Sequence, residues 1–412
     1  MAAATGAAAA KPSVVICGGG IIGAATAYYL ARNGGPEVAR RVTVVEREAP
    51  ACAASGKAGG FLALDWNDTS PVGPLARLSY GLHPRLAADL LAELGRDVGY
   101  RTVNTWQVVG VESVPAGVKG GRLKGSEALP GWIDGNVLGS SEMGDTESTA
   151  QVHPALLTRA LLDSAVAAGA RLVTGCVQGL QLERAEPEQE PEGAERGQRV
   201  TGVVVDGRVL PADVAVVALG PWSDAARAWL EGAAAPGAVP HITGQKYHSV
   251  VLRPEQPVTN DMLFTGFKYA SGRTVEPEVY PRPDGTVYVC GEPQALPVPP
   301  SPAEVGVEAA LVDNIRRVAG SLASCLKEAP VEAQQACYLP CAPDSLPVIG
   351  PVPGADGVFL ATGHTCWGIL NAPATGLVMA EMILEGKAKS VDVRPFAPAR
   401  FVRGAAAAGA RR

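Results

Sequence analysis

The residues best placed to do chemistry begin with Gly18-Gly19-Gly20-Ile21-Ile22-Gly23, which follows directly on the apolar, β-branched run Val14-Val15-Ile16-Cys17. Between a buried strand and a helix, such glycines serve a pyrophosphate. Gly18 permits a tight turn, Gly20 a close approach of backbone to phosphate, and Gly23 close packing of helix on strand, while free helix N–H groups meet the anion. Ala24 to Arg32 reads as that helix, and Arg41 to Val45 as a second strand ended by Glu46. Glu46 stands 23 residues after Gly23, where a carboxylate accepts hydrogen bonds from an adenosine ribose. A dinucleotide is expected here, weighed against a purely structural strand–turn–helix. The motif alone does not choose between NAD and FAD.

Two further segments make that choice. They are Ala51-Cys52-Ala53-Ala54-Ser55-Gly56-Lys57-Ala58-Gly59-Gly60 after the second strand, and, near the C-terminus, residues Gly357 to His364 followed by Gly368 to Gly376. Together with the glycine turn and Glu46, they resemble the FAD-dependent D-amino-acid oxidase superfamily, whose members include glycine oxidase and sarcosine oxidase. The resemblance runs from Ser13 to about Pro395 and is nearest to a eukaryotic branch of oxidoreductases known in fungi and plants. It implies FAD as cofactor and oxidation of the C–N bond of an amine, amino acid or N-substituted amino acid by hydride delivery to flavin N5. Implied flavin contacts are Gly18, Gly20, Ile21, Ile22, Gly23, Glu46 and Arg47, then Ala54, Ser55, Lys57, Ala58, Gly59 and Gly60. Val177, Gly220, Trp222 and Cys337 follow, and last Gly363, His364, Thr365, Cys366, Trp367, Gly368, Ile369 and Leu370. A helix from about Asn371, with Pro373 near its first turn, would direct its positive end at the flavin.

The substrate end departs from the pattern. Two arginines that lie near the substrate carboxylate in glycine oxidases fall here on Cys366 and Leu339, and the lysine of sarcosine oxidases on Leu370, so a small amino acid held in that manner is put in doubt. Trp367, Tyr247, Tyr280 and Arg282 are the remaining catalytic candidates. Arg282 reads either as a turn arginine paired with Asp284 or as a carboxylate clamp. Cys337, six residues before Pro343-Asp344, matches in position the thiol that carries covalent FAD in sarcosine oxidases; its alternative is a buried apolar cysteine. The roof stretch Val287 to Cys290 lacks the oxygen-activating lysine of some oxidases, leaving Lys57 or Lys268. Oxygen is the expected electron acceptor, with a dehydrogenase the alternative. A flavoprotein whose FAD is structural and serves a partner is the rival reading, and an NAD-dependent dehydrogenase a more distant one.

The elements that position these residues read as an α/β fold. A discontinuous Rossmann-type FAD domain is expected over residues 1–64, 150–240 and 336–395. An antiparallel-sheet substrate domain takes 65–149 and 241–335, and a tail 396–412. Val152 to Ala168 reads as a helix, Arg171 to Thr174, Val177 to Leu182 and Val200 to Val205 as strands, and Asp213 to Ala218 as a buried strand. Tyr247 to Leu252, Glu278 to Tyr280 and Thr286 to Cys290 read as roof strands, and the Glu/Pro-rich stretch from Glu183 to Gln198 as a solvated hairpin extension. His83-Pro84 and His153-Pro154 look like helix starts.

Composition bounds the rest. The chain has 412 residues, 47% hydrophobic and 18% charged, with a net charge of −6 and no cluster of Lys/Arg with aromatics, which argues against a nucleic-acid partner. The five histidines are dispersed, so no metal is expected, and the eight scattered cysteines read as thiols of a reducing compartment. Without a signal-like leader or a long uncharged apolar run, a cytoplasmic location and no transmembrane segment are the expectation, with a peripheral endosomal or organellar location the alternative.

Overall fold

The computed structural model describes residues 11–114, 121, 128–184 and 197–402. The leader, most of the Glu/Pro-rich extension and the end of the tail lie outside the described residues.

A six-stranded sheet runs in the order Val348–Pro351, Val358–Thr362, Val214–Val217, Val14–Cys17, Val42–Glu46 and Arg171–Thr174. All its pairings are parallel except that of the edge strand Val348–Pro351. Val14–Cys17 and Val214–Val217 are buried at every position, as strands covered on both faces must be. Val14 lies opposite both Val42 and Val214, so the chain leaves the first strand on one side and later returns on the other. The crevice beyond the carboxyl ends of these strands is where such a sheet accommodates a ligand.

Helices Ile21–Ala39, Pro154–Ala167 and Gly368–Glu385 pack on this sheet, and the first of them runs on past its expected end at Arg32. Gly35, with φ of 70°, and Pro36 mark a kink in it. His153 caps the second of these helices, its Nδ1 accepting the Leu156 N–H at 3.4 Å, with Pro154 in the first turn. His83-Pro84 behaves otherwise. Both lie inside helix Gly73–Leu94, where the loss of one proline donor is outweighed by burial of Leu75, Leu86 and Leu90 and by His83 Nε2 bonding the Leu370 carbonyl at 3.1 Å. The stretch Thr365–Glu385 has the length and mean hydropathy (1.3) of a membrane span, but 72% of it is buried inside the protein. Its apolarity is that of a core helix.

The second large sheet has the order Val331–Cys341, Thr243–Leu252, Val287–Gln294, Glu278–Pro281, Asp261–Lys268, Asn104–Val111 and Val137–Gly144, with Thr274–Val275 added to Asp261–Lys268. Side chains alternate across it. Val250, Leu252, Leu263, Val279, Val287 and Val289 face outward against Val312, Ile315 and Val318 of helix Ala309–Leu322. Register then places Tyr247, Phe264, Glu278, Tyr280, Tyr288, Cys290 and Cys337 on the opposite face, toward the first sheet.

Candidate functional site

The glycine turn is tight enough that its residue types are dictated. Gly18 has φ of 110°, and a Cβ there would lie 2.5 Å from the Ala218 carbonyl oxygen; a Cβ on Gly23 would lie 2.0 Å from the Gly18 oxygen. Glu46, at the end of the second strand, turns back on this loop. Its Oε2 accepts the Gly19 N–H at 2.7 Å and its Oε1 the Glu48 N–H at 3.1 Å. Ser55 Oγ accepts the Ile21 N–H at 2.9 Å, so the first donor of the helix points at the segment Ala54–Lys57. Glu46 and Ser55 thus hold the glycine loop in place at the N-terminus of helix Ile21–Ala39, and a helix N-terminus is where anionic groups are received.

A continuous cavity follows the carboxyl ends of the strands. Of the residues singled out in the sequence, Gly18, Gly20, Ile21, Ile22, Glu46, Arg47, Ala54, Ser55, Ala58, Val177, Gly220, Trp222, His364, Thr365, Cys366, Gly368 and Ile369 line it. Gly23, Lys57, Gly59, Gly60, Cys337, Gly363, Trp367 and Leu370 do not, and stand behind or beside the lining. Gly59 has a packing role: a Cβ there would lie 2.2 Å from the Tyr280 ring. Pro300 and Pro302 also line the cavity and were not anticipated. They belong to a strap tied down by three hydrogen bonds, Arg47 Nη1 to the Pro300 carbonyl (2.6 Å), Trp222 Nε1 to the Pro299 carbonyl (2.7 Å) and Ser301 Oγ to Glu48 Oε1 (2.9 Å). Its proline-rich composition was the available signal, but a loop's docking partner cannot be read from composition.

At the far end, strand Val358–Thr362 enters a loop in which Gly363 and Thr365 have φ of 77° and 51°. Helix Gly368–Glu385 then starts three residues before the expected Asn371, and Pro373 sits beyond its first turn. The positive helix end is therefore presented by Gly368 and Ile369, both of which line the cavity. His364 is 2% exposed with both ring nitrogens unpartnered, and burial pushes its pKa down to about 3. Burial likewise takes His83 to about 4. Both imidazoles are neutral in the folded protein, while an unfolded imidazole titrates near 6.5. Between these values the unfolded chain binds more protons, so stability is intact above pH 6.5 and lost as pH falls below it, by about 1.4 kcal/mol per pH unit for each histidine. Urea unfolding at pH 7 and pH 5 is expected to show a lower midpoint at pH 5; an unchanged midpoint would contradict the assignment of both.

The roof face carries an aromatic cluster. Phe61 lies 5.0 Å from Trp66 and from Phe264, and 5.9 Å from Tyr280, and Tyr280 lies 6.1 Å from Tyr288, all centroid to centroid. Trp367 joins it edge-on to Trp66 at 6.3 Å. Register sets Tyr247, Glu278 and Tyr280 on this same inward face, which the loop meets through Trp367. Glu278 escaped the sequence reading because a lone acid in a strand has no pattern. Arg282 does not pair with Asp284, whose Oδ1 accepts from the Thr286 N–H and hydroxyl. Its guanidinium instead stacks 5.0 Å over the Tyr288 ring and donates to the Ala58 carbonyl at 3.2 Å, because the site is too buried for an exposed turn pair. No group of three His, Cys, Asp or Glu fit to hold a metal occurs among the described residues.

The sequence model of one protein family, described as FAD dependent oxidoreductase, matches residues 13–382. The chain belongs to that family. It is 30% identical over 374 residues to the Schizosaccharomyces pombe protein C1F5.03c, named provisionally as an oxidoreductase, covering 85% of this chain and 88% of that one. With the glycine oxidase of Pseudomonas aeruginosa it shares 29% identity over 370 residues, 87% of this chain and 92% of the relative. The crystal structure of glycine oxidase from Geobacillus kaustophilus superposes with a TM-score of 0.72 at 24% identity, covering 94% of this chain and 98% of that one.

The protein is thus an FAD-dependent oxidoreductase, and its residues fit the cofactor. The glycine cradle admits no Cβ at Gly18 or Gly23, and buried His364 offers unpartnered nitrogens on the cavity wall. Cys337 lies outside that wall, opposite Tyr247 in the roof, with Lys57 Nζ bonded to the neighbouring Ala336 carbonyl at 3.1 Å. Burial pushes its thiol up to about 11, only partly offset by Lys57. A protonated thiol is a poor nucleophile. Acid precipitation is therefore expected to release the flavin to the supernatant; colour held in the pellet, and lost in Cys337→Ala, would instead make Cys337 a covalent anchor.

Proposed function

We propose that the protein oxidises the C–N bond of an amine or amino acid, with dioxygen as the electron acceptor. The observation that carries this reading is the meeting of the cofactor loop, through Trp367, with the aromatic inward face of the roof that carries Tyr247, Glu278 and Tyr280. When bound, FAD supplies a hydride acceptor at N5 for the carbon bearing nitrogen, leaving an imine that water hydrolyses.

The chain's own contribution is position and dryness. Phe61, Trp66, Phe264 and Tyr280 wall the cleft with rings that exclude water and favour the alkyl part of a substrate. Helix Gly368–Glu385 presents its positive end to negative charge developing beside the loop. Arg282 braces the roof by stacking on Tyr288 and holding the Ala58 carbonyl, and acts as a positioning residue. Lys57, tethered beside Cys337, is the candidate cation for oxygen, since Lys268 is exposed at the end of its strand.

The test is anaerobic mixing of the purified holoprotein with primary amines, secondary amines, amino acids and N-methyl amino acids. Bleaching of the visible bands by one class, recovery on admitting air, and appearance of the carbonyl product are expected. Flavin that no member of the panel reduces would overturn the reading.

A further inference from the structure

Glu278 is a carboxyl on the inward face of the roof whose chemistry the oxidation reading leaves unused. Register pairs it with Phe264 on one side and Cys290 on the other, in the middle of the roof sheet and on its inward face. Its Oε2 accepts the Tyr280 hydroxyl at 2.6 Å and the Cys290 thiol at 3.5 Å. Burial raises its pKa, and among the described residues no lysine, arginine or histidine forms a hydrogen bond or ion pair with it. Oε1 accepts from no donor among them. Carboxylates enclosed in this way are ordinarily paired with a cation.

The nearby cations are committed elsewhere. Lys57 is bonded to the Ala336 carbonyl, Arg282 to the Ala58 carbonyl and the Tyr288 ring, and Lys246, on the outward parity of its strand, to Glu308. Cys366 and Leu339, which line the cavity below, are uncharged. Among the described residues no cation of the chain is thus paired with this carboxyl, and it is framed by aromatic rings, Tyr280 and Phe264 among them, whose faces attract cations.

We infer that Glu278 is a specificity-determining residue that receives the ammonium group of the substrate, so that the substrate is an amine without a carboxylate on the reacting carbon. The inference rests on the cleft being the substrate site. Two donors hold Oε2 and orient the carboxyl, leaving Oε1 to accept from the ligand N–H. A carboxylate-bearing substrate would meet repulsion from an ionised Glu278, which no guanidinium among the described residues pairs with.

Binding is measured on the holoprotein by quenching of tryptophan fluorescence, Trp66 and Trp367 lying at the cleft, with benzylamine and benzoate as probes of equal shape. Wild type is expected to bind benzylamine at least about tenfold more tightly than benzoate, and Glu278→Gln to lose about 10- to 100-fold in benzylamine affinity while benzoate binding holds or improves, as expected for a charge-assisted hydrogen bond. Benzoate binding tighter than benzylamine in wild type, or a Glu278→Gln protein that retains wild-type amine affinity, would overturn the inference. The wild-type comparison decides the matter even if the variant does not fold. Amine that binds through Glu278 yet never reduces the flavin would support this assignment while removing the oxidation reading.

Discussion

Gly23→Ala is expected to purify without flavin colour and to bind added FAD at least about 100-fold more weakly than wild type. A Cβ at this position would stand 2.0 Å from the Gly18 carbonyl oxygen and 3.2 Å from Ile16, far inside van der Waals contact. The first of these neighbours is backbone, so relief requires the helix to move off the strand. That movement displaces the Ile21 N–H and the glycine loop from the cavity they line. Gly81→Ala is the control. Gly81 lies in helix Gly73–Leu94 with nothing within 4 Å of its added Cβ, and the change is expected to stabilise the helix by about 0.5–1 kcal/mol with FAD retained. The ratio of flavin to protein absorbance, read beside far-UV circular dichroism, separates loss of the site from loss of the fold. A yellow Gly23→Ala protein would contradict the cradle.

Glu46→Ala carries the second large effect, an expected loss of about 10- to 100-fold in FAD affinity. The carboxylate holds the Gly19 and Glu48 N–H groups at 2.7 and 3.1 Å, and its removal leaves the loop donor at Gly19 without its acceptor. The same side chain lines the cavity, where the ribose is expected to compete for it. Glu46→Gln keeps an oxygen acceptor and should lose about tenfold or less, since only the charge is removed. Titration of the apoproteins with FAD, followed by flavin fluorescence, gives the three constants. Equal affinities in all three would show that Glu46 serves neither loop nor ribose.

What was legible in the sequence follows the range of the forces involved. The strand Val14–Cys17, its glycine turn and Glu46 form a local unit, and a buried parallel strand announces itself by continuous β-branched residues. Roof strands alternate, so Glu278 to Tyr280 could be placed in a strand from a few residues. The start of helix Gly368–Glu385 was misjudged because Pro373 looks like a first-turn residue, whereas buried packing allows it further inside. His83-Pro84 failed for the same reason. The strap at Pro299 to Ser301 and the charge at Glu278 were not legible at all. The strap depends on Arg47 and Trp222, far away in the chain, and the isolation of Glu278 on which side chains the fold brings beside it, here only the Tyr280 hydroxyl and the Cys290 thiol among the described hydrogen bonds.

The central claim is that the cavity from Gly18 to Ile369 holds FAD in a working oxidoreductase. The visible absorption spectrum of the purified protein tests it most directly. The two bands of oxidised flavin, at a stoichiometry near one per chain after incubation with FAD, are the predicted result. A protein that stays colourless in excess FAD would contradict it.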